Sequence, residues 1–196
     1  MFPQNPAPVD HEIHDLLKKR WSPLAFSSKP IEKEKINSLF EAMRWAPSSF
    51  NGQPWRVIYA TQAEKEAFEN FSSLLVEGNS YAKKAYMLML ICSIKEFAHN
   101  GKPNKHHQYD TGAGIENLFL QAGSMGLIGH EMAGYDEEKS YELFDIPKEK
   151  VQSIAMMAIG YPGEQSSLTE DQVKREKSPR KRMLIEEIAF LGKWKA

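Results

Sequence analysis

The chain has 196 residues, 41% of them hydrophobic and four of them tryptophan, which is enough for one substantial core. A formal net charge of -1 gives no whole-molecule attraction to nucleic acid or acidic membranes, and points to small molecules or a second copy as partners. Cys92 is the single cysteine, which excludes an internal disulfide and a multi-cysteine metal centre and fits a reducing, cytoplasmic setting.

The proline-rich residues 1–9 lack the basic opening and apolar run of a signal peptide, and read as a flexible arm before a single domain over residues 10–196. Asp10 can cap a helix over residues 11–20 with Ile13, Leu16 and Leu17 on one face; Pro23 breaks it. After a turn at residues 27–30, Ile36, Leu39, Phe40 and Met43 recur at helical spacing, with Glu32, Glu34 and Glu41 on the wet side and a stop near Pro47. Residues 56–60 read as a short strand. Thr61 can cap a helix whose inward face is Phe68, Phe71, Leu74 and Leu75, closed by Gly78-Asn79.

Residues 87–92 form an apolar run bounded by charge, which fits a central strand covered on both faces. It is far below the roughly 20 residues that span a bilayer. The polar stretch 98–108, with His99, His106 and His107, is either a mobile lid or plain surface. Ile115, Leu118, Phe119 and Ala122 then stripe a helix that Gly126 ends. Residues 127–132 re-enter the sheet, Gly134-Tyr135-Asp136 opens a capped helix through Phe144, and residues 151–161 make a further apolar strand. Helices and single strands alternate, the pattern of a layered α/β or α+β domain. The tail clusters Lys174, Arg175, Lys177, Arg180, Lys181 and Arg182 against one acid, Glu176. Beyond it, the apolar Met183-Leu184-Ile185 and Ile188-Ala189-Phe190 suggest a C-terminal strand that a neighbouring subunit would pair.

The richest stretch is residues 44–55. There a helix, a polar loop and a strand follow one another, and Ser48, Ser49, Asn51 and Gln53 offer donors and acceptors to a planar polar ligand. An ordinary helix-to-strand turn uses the same residue types. Other motifs are weaker. Gly112-Ala113-Gly114 lacks the third glycine of a dinucleotide-binding loop and has no clear strand before it. His11 and His14 stand three apart on a helix, but no third ligand accompanies them, so no metal site is expected. Ser48 and Ser49 lack the elbow of a serine hydrolase. Arg20 near the start and residues 180–182 near the end could converge on a phosphate, or form a solvated basic surface.

Taken in order, Arg20-Trp21-Ser22, residues 46–55, Asp110-Thr111-Gly112-Ala113 with Asn117-Leu118, Gly126-Leu127, residues 132–136, Gly160-Tyr161-Pro162 and Arg180-Lys181 resemble the flavin-dependent nitroreductase family over nearly the whole chain. The resemblance implies an α+β, three-layer α/β/α sandwich: a central mixed sheet flanked by helices, with a C-terminal extension exchanged within a homodimer. It implies FMN at the subunit interface, with NADH or NADPH and a small-molecule electron acceptor, a nitroaromatic, a quinone or a related electron-poor compound, taking turns over the flavin. Arg20, Ser22 and Arg180, helped by Lys181 or Arg182, would hold the FMN phosphate. Pro47, Ser48, Ser49 and Asn51 would meet the ring, some from the partner, and Gln53 the ring or ribityl chain. N–H groups of Ala133 and Gly134 would face N5 and O4, with Asn79 nearby. No catalytic residue of the chain's own is needed, because the flavin carries the chemistry. His106, His107 and Tyr109 are candidates for contact with substrate. Many members carry a second basic residue two after the serine, where this chain has Leu24. A flavin-binding or regulatory protein with little turnover is the alternative.

Overall fold

A computed structural model describes residues 3–194. The elements in order are α1 (Asp15–Lys19), β1 (Phe26–Ser27), α2 (Lys33–Arg44), β2 (Trp55–Thr61), α3 (Lys65–Ser72), β3 (Met87–Ile94), α4 (His107–Ser124), β4 (Ile128–Met132), α5 (Glu137–Leu143), β5 (Val151–Pro162), α6 (Glu170–Lys177) and α7 (Ile185–Ile188).

The apolar run at β3 is the middle of the molecule. Seven of its eight residues are buried, because side chains alternate across a strand and helices cover both faces. Met87, Met89 and Ile91 pack with Ile36, Leu39 and Met43 of α2 and Ile115, Leu118 and Phe119 of α4. Leu88, Leu90 and Cys92 face the other way, onto Phe68 and Phe71 of α3 with Leu74 and Tyr81. Burial pushes the Cys92 thiol up to about 12, so it stays protonated. The three-layer α/β/α sandwich expected from the resemblance is present.

The strand directions differ from expectation. β2 pairs with β3 and β3 with β5, while β4 and β1 share the far side of β5 at residues 156–160 and 161–162. Every one of these pairings is antiparallel, where a mixed sheet was expected. A double-sided apolar strand reads the same in either direction, so its burial pattern does not encode orientation.

The ends also differ. α1 is shorter than residues 11–20 because His14, not Asp10, caps it: its Nδ1 accepts from the Leu16 N–H at 3.2 Å. Residues 1 and 2 of the expected flexible arm lie outside the described residues. The remainder is hydrogen-bonded into the fold, with Trp21 Nε1 donating to the Pro3 carbonyl at 3.0 Å and the Ala7 N–H to that of Lys18 at 2.9 Å. The described part of the tail carries α6 and the short α7 in place of a C-terminal strand. Its apolar residues stay exposed, among them Ile185, Ile188 and Leu191.

Gly112-Ala113-Gly114 lies inside α4, where no phosphate-binding turn exists. Gly114 instead lets α4 approach α2, since a Cβ there would come 3.1 Å from Met43 Cγ. A tighter contact stands at Gly163, directly after β5. Its N–H donates to the Ala25 carbonyl at 2.8 Å, and a Cβ would lie 2.2 Å from the Phe26 carbonyl oxygen. That contact pins the segment following Ser22 to the sheet. Gly163→Ala is expected to cost about 2 kcal/mol or more, because backbone rather than a pliable side chain must move. The check is a fall in the urea midpoint, with the slope unchanged.

Candidate functional site

Both ends of the chain meet at one cavity of about 350 Å³. Its lining includes Arg20, Ser22 and Leu24 from the segment after α1, His130 from β4, Arg175 and Glu176 from α6, and Arg180, Lys181 and Arg182 from the tail. Arg180 shapes it. Its Nη1 donates to the carbonyls of Asn5 at 2.8 Å and Lys18 at 3.1 Å, and its Nη2 to that of Arg20 at 2.8 Å. Burial, with Arg20 and Arg182 close by, pulls its pKa below the ordinary arginine value. Arg20 leans on α4, its Nε 3.9 Å from Glu116 and its guanidinium 5.7 Å from the centre of the Phe119 ring.

Glu176 is the one acid among the described lining residues. Its carboxylate is already engaged: Oε1 accepts from the N–H groups of Leu24 at 2.7 Å and Ala25 at 3.2 Å. The Ser178 hydroxyl donates to the Lys174 carbonyl at 3.0 Å, so the donor set left facing the cavity is cationic with the Ser22 hydroxyl, and this set fits a phosphate.

Beside the cavity, the Asn79 amide donates to the Gly134 carbonyl at 2.8 Å, and the Tyr81 hydroxyl reaches Asn79 Oδ1 at 3.4 Å. The Tyr81 ring in turn packs on His130, with centroids 5.1 Å apart. Asn79 and Gly134 are thus linked to the cavity through Tyr81 and His130, and Ala133 is exposed next to them.

The loop after α2 lies elsewhere. The Ser49 N–H donates to Asp110 Oδ2 at 3.0 Å, and the Gln53 N–H to Ser48 Oγ at 3.1 Å. Phe50, Asn51 and Gln53 all have positive φ, at 51°, 52° and 45°. Each such residue costs on the order of 1 kcal/mol or more, and strain of this kind persists only where anchors impose it. Asp110 is that anchor, at 4% exposure in the first turn of α4. Pro47, Phe50 and Asn51 are left exposed, and Ser48, Ser49 and Gln53 half-buried.

Asp110 holds the loop and Glu116 meets Arg20, six residues apart on α4. That is about 9 Å along the helix and about 120° around it. Within one chain, therefore, the structure gathers Arg20, Ser22, Arg180 and Lys181 but sets Pro47, Ser48, Ser49, Asn51 and Gln53 on another side of α4.

His106 and Tyr109 are exposed at the start of α4. His107 turns inward, its Nδ1 2.7 Å from the hydroxyl of the fully buried Ser93. Asp110, Tyr81, His130 and Glu176 went unassigned in the sequence. Only Asp110 sat in a motif, and nothing in its spacing says which backbone N–H it receives.

A model described as the nitroreductase family matches residues 17–161. The chain belongs to the nitroreductase family. An oxidoreductase containing FMN has a solved structure that superposes with a TM-score of 0.91 at 35% identity, covering 100% of this chain and 99% of that one. A nitroreductase family protein from Clostridium difficile gives a TM-score of 0.70 at 25% identity, over 91% of this chain and 97% of its own. An uncharacterized 15.4 kDa protein of Mycolicibacterium smegmatis is 37% identical over 135 residues, 67% of this chain and 87% of that one. A Streptomyces coelicolor protein provisionally named NADH dehydrogenase/NAD(P)H nitroreductase is 26% identical over 158 residues, 70% of this chain and 77% of its own. The family match stops at Tyr161, so Arg175, Arg180 and Lys181 stand outside it.

Two predictions follow from this geometry. Asp110→Ala should release the 48–53 loop and cost about 2 kcal/mol, the scale of a hydrogen bond to a charged group. Asp110→Asn, which keeps an acceptor, should cost less; limited proteolysis and urea melts read both. His130 sits against the Pro23 carbonyl at 3.1 Å, and burial, aided by Arg175, lowers its pKa below the ordinary 6.5. Its contribution to stability is complete above that value and is lost as pH falls through the lowered one, because the unfolded chain takes the proton first. The thermal midpoint of His130→Asn should fall less than that of the parent between neutral and mildly acidic pH.

Proposed function

We propose that the protein is an FMN-dependent oxidoreductase working as a homodimer, in which NADH or NADPH reduces a small electron-poor acceptor such as a nitroaromatic or a quinone. One observation carries this reading: a cationic cavity, built from both ends of the chain, presents Arg20, Ser22, Arg175, Lys181 and Arg182 to an anion. A flavin phosphate is a dianion of suitable size, and arginine forks meet its oxygens in pairs.

FMN, when bound, supplies a ring that accepts hydride and releases electrons to the second substrate. The chain's part is to hold and orient it. Arg20 and Ser22 meet the phosphate. Asn79 fixes Gly134 through its carbonyl, and so sets the direction in which the neighbouring N–H groups of Ala133 and Gly134 point at the ring's polar edge. The strained 47–53 loop comes to the ring from the partner, because its own chain carries it away from its own cavity. Trp45, Phe50, Ile185, Ile188, Leu191 and Trp194 are exposed apolar side chains that a second copy would cover. Among the described residues no helix is long and apolar enough to cross a membrane. A cytoplasmic setting fits this reading and its supply of nicotinamide.

Protein reconstituted with FMN should be yellow, bleach anaerobically with NADH or NADPH, regain colour with a nitroaromatic or quinone, and elute at the mass of two chains. Failure to take up FMN would overturn the proposal; a yellow protein that neither nicotinamide reduces would leave a flavin carrier in its place. Arg20→Ala should weaken FMN binding about tenfold or more, the equivalent of one charge-assisted hydrogen bond. Equilibrium dialysis measures this directly.

A further inference from the structure

The five cationic side chains lining the cavity are not equally free. Arg180 points both Nη1 and Nη2 at backbone carbonyls, which ties Asn5, Lys18 and Arg20 to the tail. Arg182 donates through Nη1 to the Lys181 carbonyl at 2.7 Å. Arg20 rests against Glu116 and Phe119. Leu24, 3% exposed, offers only an apolar wall.

Arg175 is placed differently. It projects from the last turn of α6 into the same cavity, over the Tyr81 ring at 5.9 Å. Its Nη1 reaches the Gly78 carbonyl only at 3.5 Å, the outer limit of such a contact. The neighbouring Glu176 does not pair with it, since that carboxylate is held by the Leu24 and Ala25 N–H groups and, through Oε2, by Gln165 Nε2 at 3.4 Å. Those bonds fasten α6 against Leu24 and so set where Arg175 stands. Tyr81 supplies a flat floor for the guanidinium while leaving its edge open to an anion.

We infer that Arg175 is a phosphate-binding residue of the cofactor site, filling from α6 the place beside Leu24, and that Arg180 is a positioning residue that holds the tail in place. The inference rests on the FMN reading above. It assigns the extra cation to a helix beyond the family match, and it separates Arg175, which meets the ligand, from Arg180, which builds the wall.

The test compares FMN with riboflavin, which has the same ring and no phosphate, by flavin fluorescence titration of the whole protein. Arg175→Ala should weaken FMN about tenfold or more, as loss of one charge-assisted bond does. It should leave riboflavin unchanged, and Arg175→Lys should recover part of the loss. The stabilisation of the ligand-free protein by inorganic phosphate, read as a thermal shift, should shrink in Arg175→Ala in parallel. Arg180→Ala should instead weaken both flavins and lower the thermal midpoint without ligand. Equal loss of FMN and riboflavin in Arg175→Ala, or no loss of either, would overturn the assignment while the parent still binds FMN. A parent that binds no FMN would overturn the functional reading first, and this inference with it.

Discussion

The clamp made by Arg180 is the contact on which the candidate site depends. One guanidinium donates to the carbonyls of Asn5, Lys18 and Arg20, joining the arm, the end of α1 and the tail across 160 or more positions of sequence. Most of the described tail beyond α6 is exposed, so little of it is buried in the apolar core. The carbonyls at the end of α1 form the negative end of its dipole, so a cation is the natural group to gather them. Yet the clamp also buries the guanidinium and brings Arg20 and Arg182 close; burial first and these like charges second hold the Arg180 pKa below the ordinary arginine value. An anion in the cavity relieves that repulsion. A ligand that bound only the folded cavity would stabilise the docked tail by mass action.

α4 organises the rest. Its buried face joins the core against β3, which makes it rigid, and its two flanks then serve different ends of the site. The first turn holds the 48–53 loop through Asp110, while Glu116 and Phe119 receive Arg20 further along. Because one rigid helix carries both, their spacing is fixed by helical geometry rather than by flexible loops. The same spacing keeps them apart within one chain.

Much of this was legible in the sequence, and what was not has identifiable causes. The β3 run, the α4 stripe from Ile115 to Ala122, the stop at Gly126 with φ 74° and the Asp136 cap on Lys139 N–H are local patterns, and they appear where periodicity and capping place them. Strand direction was not legible, because an apolar run covered on both faces carries no sign. Neither was the start of α1, where His14 outcompetes Asp10 for the cap. The ordered motifs located the loop and both chain ends, but side-chain direction decided their parts. Asp110 reaches a backbone N–H 61 positions away, and His107 turns to Ser93 rather than to solvent. Contacts of that kind depend on packing across layers, which no local spacing encodes.

The basic tail shows the same limit in its sharpest form. As sequence, residues 174–182 are a run of like charges opposed by one glutamate, and such a run usually means a solvated surface. The structure separates them by what each one touches. Glu176 is taken by two backbone N–H groups, which removes the one countercharge from the pocket without removing it from the fold. Arg180 is taken by carbonyls. Lys174 pairs with Asp171 at 3.4 Å, outside the cavity lining. With Glu176 turned to the backbone, no other carboxylate among the described lining residues opposes the cavity's cations, which leaves it a positive potential.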